Sequence, residues 1–161
     1  MNFITPVLFS FTYIVFFYLF GLFFEKEVSF SKKSIISLII IAILSFTTYE
    51  IAFMIPSLEI GNRFLHGVGG GFISSLLSFL VFKDTKIQVS KFQFFFFTFL
   101  IVSTLGVFNE ILEFFLQNYA HKIFAINSKD TWLDLISNTV GAIISSLVLM
   151  NFIKRDKPIL K

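Results

Sequence analysis

Glu110, Glu113 and Gln117 fall at i, i+3 and i+7 in the stretch "NEILEFFLQ", and Asp130, Asp134 and Asn138 fall at i, i+4 and i+8 in "DTWLDLISN". Either spacing puts three polar side chains on one face of a helix. Arg63, His66 and Gly70 repeat the first spacing in "RFLHGVGGGF". Carboxylates and an imidazole in such stripes supply metal ligands, general acids and bases, or counter-charges for a cationic group. The arginine adds a fixed positive charge able to pair with carboxylates.

The elements that carry these residues are strongly apolar. Of 161 residues, 56% are hydrophobic and only 14% charged, with a mean hydropathy of +0.86. Such a composition excludes an ordinary soluble domain and predicts an all-α integral membrane protein, a bundle of about five transmembrane helices in a single domain over 1–161. About 20 apolar residues cross a bilayer core as a helix, and hydropathy with its interruptions places spans at about 3–24, 34–55, 63–82, 92–119 and 131–152. The connections are short, and Pro56 cannot continue the second helix in regular form. The fourth span would reach about 42 Å at the α-helical rise, so it must tilt or protrude. No Lys or Arg precedes the first span and no A-x-A-like site follows it, so it reads as a retained span rather than a signal peptide.

Without cysteine the chain has no disulfide, thiolate metal site or thiol nucleophile. The 26 phenylalanines, including "FQFFFFTFL", read as lipid-facing filler. The net charge of +3 does not point to nucleic acid, because the basic residues sit in loops, where topology accounts for them. Ten of the thirteen Lys and Arg fall in the loops on one side of the spans, the exceptions being Arg63, Lys122 and Lys129. Cytoplasmic loops are enriched in these residues. The expectation is a multi-pass protein of the cell membrane with its N-terminus outside and its C-terminus cytoplasmic.

This orientation brings the ionisable residues to one side. Glu50 lies near the outer end of the second span, Arg63 and His66 near the start of the third, Glu110 and Glu113 late in the fourth, and Asp130, Asp134 and Asn138 early in the fifth. A charge near the bilayer centre costs at least about 2.5–3.5 kcal/mol, so these groups should face the bundle interior and find partners there. Gly67 and Gly71 form a small-xxx-small pair that either draws a neighbouring helix close enough to hold His66 against the carboxylates or serves packing alone. Glu50, Glu110, Glu113 and Asp134 could contribute four negative charges against two from Arg63 and a protonated His66. Either some carboxylates are protonated or something cationic joins them. A divalent metal ion, a cationic head group and a transported proton are the candidates. Asp130 also fits a helix N-cap, and Glu50 could simply reach the interface.

The stretches "NEILEFFLQ" and "DTWLDLISNTVGAIISS" together resemble the VanZ-like and YjdF-like small bacterial membrane proteins, in which an acidic helix precedes a D-x-x-x-N-x-x-G-A helix. The matching residues are Glu110, Glu113, Gln117, Asp130, Asp134, Asn138, Gly141 and Ala142, and "RFLHGVGGG" is similar to the helix those families place upstream. "AHKIFAINSK" stands where VanZ proteins carry a Pro-Gly-Arg-type connection, which favours the wider group. The resemblance implies a polytopic helical fold and a link to the cell envelope.

Three functions follow as expectations. The first is a non-enzymatic envelope protein whose cluster binds a head group or cation, through Arg63, His66, Glu110, Glu113, Asp130, Asp134 and Asn138. The second is a membrane-embedded enzyme acting on a lipid or lipid-linked envelope precursor, with His66, Glu110, Glu113 and Asp134 as catalytic groups or ligands to a divalent metal such as zinc or manganese. The third is a proton-coupled carrier. The chain carries no G-x-S-x-G elbow, H-E-x-x-H pair or nucleotide loop.

Overall fold

In lipid every backbone N–H and C=O must be bonded within the protein, so a charge-free apolar run becomes a helix. The computed structural model describes residues 4–119, 121 and 128–153. Its elements are α1 (Ile4–Phe23), α2 (Lys32–Met54), α3 (Leu58–Phe64), a π-helical segment (Leu65–Ile73), α4 (Ser74–Thr85), α5 (Lys91–Tyr119) and α6 (Ser128–Leu149), the last followed by a 3-10 turn at Met150–Phe152. The chain from Leu58 to Thr85 is one continuous span, so among the described residues five helices are long and apolar enough to cross a membrane. No strand occurs among the described residues. Phe3, Lys122 and the C-terminal group Lys154, Arg155, Lys157 and Lys161, all counted in the spans or the charge balance above, lie outside the described residues, as does most of the connection between α5 and α6.

Local chemistry sets the helix ends. The Ser31 hydroxyl accepts from the Ser34 amide at 3.3 Å while the Ser34 hydroxyl accepts from the Ser31 amide at 3.2 Å, a reciprocal box that starts α2 at Lys32. Ser31→Ala should therefore lower stability by about 1 kcal/mol, read from the melting temperature of the purified protein. A second box joins Ser90 and Gln93 ahead of α5, at 2.8 and 3.2 Å. The third span begins at Leu58, earlier than hydropathy indicates, because Ser57 follows Pro56 and its hydroxyl caps the Ile60 amide at 3.3 Å. This early start places Asn62 and Arg63 inside the helix.

The bundle divides into an aromatic half and a polar half. Tyr13, Phe17 and Phe20 of α1 pack with Phe82 of α4 and Phe94 of α5, the Phe20 and Phe82 rings 4.8 Å apart. Within the phenylalanine run, Phe94 is fully buried while Phe92 and Phe96 are exposed, so the run is only partly lipid-facing filler. Among the described residues α1 packs mainly on α2 and α4, with Phe23 reaching the Phe97 ring of α5 at 6.2 Å. The polar half is built by the third span, α5 and α6.

Candidate functional site

The buried residues of α5 are Phe94, Thr98, Val102, Gly106 and Glu110, a stripe with a strict spacing of four. Asp134, Asn138, Ala142 and Ser146 form the matching buried stripe on α6. A Cβ on Gly106 would lie 3.0 Å from Asn138 Nδ2, which fixes the antiparallel register and sets Glu110 level with Asp134, one turn away. The third span closes the other side. A Cβ on Gly71 would lie 2.6 Å from Gly141 Cα, a Cβ on Gly141 would run into Gly67 O, and a Cβ on Gly70 would run into Asn138 Oδ1. The π segment and α6 are thus in direct backbone contact, and this is the most extensive helix pairing among the described residues.

The π segment is why residues 66, 67, 70 and 71 all face α6. Its bonds run i→i+5 rather than i→i+4, so the wider turn brings residues four and five apart onto one face. Gly69, by contrast, faces Thr48 of α2.

Counted from the nearest helix ends at Leu58, Tyr119 and Ser128, the residues His66, Glu110 and Asp134 sit roughly 9–14 Å down their helices at the α-helical rise. Asp134 is 1% exposed and Glu110 and His66 are each 8% exposed. Arg63 bridges α3 to α6, pairing with Asp130 and Asp134 through separate guanidinium nitrogens. Its Nη1 also donates to the Asp130 backbone oxygen at 3.2 Å. Asn62 donates to both carboxylate oxygens of Asp134, at 3.1 and 3.2 Å. His66 Nε2 lies 3.5 Å from Asp134 Oδ1, and Nδ1 lies 4.0 Å from Glu110 Oε1. Asn138 Nδ2 is 3.2 Å from His66 Nδ1, so the Asn138 amide bears on which ring nitrogen holds the proton.

Of the residues singled out from the sequence, the structure brings Arg63, His66, Glu110, Asp130, Asp134 and Asn138 into one contact network. Glu113 is bonded within its own helix. It is half-buried, and its Oε1 accepts from Asn109 Nδ2 of its own helix at 2.7 Å. Gln117 is half-buried further along α5, and Glu50 is half-buried toward the end of α2. Asn62, which hydropathy assigns to a connection, belongs to the network. The usable signal is its i, i+4 relation to His66, visible once Ser57 is read as a helix cap.

One nitrogen of His66 and one oxygen each of Glu110 and Asp134 lie within 4.8 Å of one another. Glu110 Oε1 and Asn138 Oδ1 are buried without a hydrogen-bond partner among the described residues. An arrangement of this kind can hold a cation, orient an amine, or pass a proton between two carboxylates through an imidazole.

Five apolar spans with charges paired among their helices define an all-α integral membrane protein. The chain belongs to the family described as "Predicted membrane protein (DUF2238)", whose model matches residues 3–155. Comparison with curated proteins and with solved structures gives no match.

Proposed function

We propose that this protein is a multi-pass protein of the cell membrane whose charge cluster opens toward the outer leaflet. There it binds a cation or the cationic head group of a lipid or lipid-linked envelope precursor. The single observation that carries this reading is Glu110 Oε1, buried, unpartnered and 4.0 Å from His66. A buried polar atom without a bond loses its hydration for nothing in return, and a cationic ligand is what a carboxylate oxygen would take. Arg63 is already engaged by Asp130 and Asp134. The outer placement draws on the loop charges, and the envelope link on the VanZ-like and YjdF-like resemblance of residues 60–150.

A second reading is an enzyme acting on such a lipid, and the trio supports it because an imidazole between two carboxylates can move a proton. A proton-coupled carrier would use the same groups. The test is the melting temperature of detergent-purified protein against divalent cations and phosphoethanolamine or phosphocholine head groups, with Glu110→Gln in parallel. A ligand at a hundred times its dissociation constant stabilises by about 2.7 kcal/mol, a shift easily read. Stabilisation of the natural protein but not of Glu110→Gln is expected. If nothing shifts the natural protein and Glu110→Gln melts early, the cluster only ties the helices together and the binding reading falls.

A further inference from the structure

We propose that His66, Glu110 and Asp134 form a centre for a divalent transition-metal ion, an inference that rests on the cluster being a binding site and names what it binds. The three donors come from three different spans, and all lie within 4.8 Å of one another. Each donor residue is at least nine-tenths buried. The spans that carry His66 and Asp134 are pressed together at Gly71 and Gly141, so these two donors are held by backbone contact rather than by flexible loops. Rigid placement of this sort lowers the cost of assembling a site.

Two further features point to a ligand rather than to carboxylates alone. Glu110 Oε1 faces the group with no bond of its own. When Glu110 is ionised the charge there is also unmatched, because Arg63 pairs with Asp130 and Asp134, while Glu110 has no basic residue other than His66 paired to it among the described residues. A doubly charged ion corrects that imbalance where an uncharged guest cannot.

The donor set narrows the choice of ion. Imidazole nitrogen suits zinc, copper, iron and nickel, whereas calcium, magnesium and manganese favour oxygen donors. Metal-bound histidines nearly always hold their second ring nitrogen through a hydrogen bond, and Asn138, 3.2 Å from Nδ1, is placed for that role. An amide can present either its oxygen or its nitrogen, so turning the Asn138 side chain switches Nδ1 between acceptor and donor. Arg63 and Asn62 hold Asp134 from behind. Three protein donors leave room for one more ligand, as catalytic zinc sites do.

Cobalt(II) serves as the probe, because its visible absorption reports coordination directly and needs no assay of activity. Chelator-treated protein in detergent is titrated with cobalt chloride and then with zinc chloride. One saturable equivalent of cobalt is expected, with ligand-field bands that zinc abolishes. Glu110→Gln should weaken binding at least a hundredfold, Asn138→Ala at least tenfold, and Glu113→Gln less than threefold. Glu110→His keeps a ligating atom and should restore bands at a shifted wavelength, which guards against a misfolded Gln variant. Absence of saturable binding, or equal loss in Glu113→Gln and Glu110→Gln, overturns the assignment. If phosphoethanolamine raises the melting temperature while cobalt neither binds nor stabilises, the metal centre is wrong but the cluster remains a binding site. If neither acts, both readings fail together.

Discussion

Arg63→Met should melt below the natural protein, by at most about 3–5 kcal/mol, the cost of removing one partner of a fully buried ion pair, because the Asp134 side chain is 2% exposed but that of Arg63 is 19% exposed. The variant leaves Asp134, 1% exposed, and Asp130 one helical turn apart without the guanidinium that pairs with both. The loss should sit toward the lower end of that range, because Asn62 still donates to both Asp134 oxygens. Combining Arg63→Met with Asp134→Leu should recover a large part of the loss, since an apolar pair of similar volume often replaces a buried ion pair at little cost. Thermal melting of the four proteins in the cycle gives the coupling directly. A single variant that melts with the natural protein would mean that Arg63 is solvated and that the cluster is not sealed from water.

Gly141→Ala is expected to be nearly as damaging, through sterics rather than charge. The added methyl would run into Gly67 O and lie 3.1 Å from Gly71 Cα, both in the backbone of the facing span, so no side chain can rotate away. Overpacking of this kind costs about 1–3 kcal/mol, and the helices must part to relieve it. Gly67→Ala provides the contrast, since its new Cβ would meet nothing closer than Ser137 O at 3.7 Å. A simple reading of the Gly67-x-x-x-Gly71 pair treats the two glycines alike. The structure separates them, and melting temperatures in which Gly67→Ala suffers as much as Gly141→Ala would contradict the packing described here.

The spans were legible because each is a long apolar run bounded by charges, Pro56 or serine caps, and such runs have one stable form in lipid. The stripe Asp130, Asp134, Asn138 was legible for a related reason, as a spacing of four matches the way α6 packs. On α5 the same spacing does not put Glu113 in the buried stripe. The spacing i, i+3, i+7 favoured it, but the buried stripe runs in steps of four from Phe94 to Glu110 and leaves Glu113 to the side. Crossing geometry selects between steps of three and four, and it depends on the partner helix, which a single strand of letters does not display. The π segment was hidden for another reason. Glycines advertise close approach but not the extra residue in the turn.

That extra residue makes the third span a keyed shaft. Arg63 and His66 sit on or near its upper end and Ser75 and Ser78 on its lower one, and the wide turns between them set the angle at which the two halves meet. Deleting one glycine from Gly69–Gly71 would remove no charged group and no ligand. It would let the hydrogen bonds tighten toward the α pattern and take His66 and the remaining glycines off the one face they share toward α6. A length-changing variant would therefore alter how this face meets α6 while the charged groups stay the same. In sequence comparison within the family, an insertion or gap at this point is a change of angle rather than a change of loop.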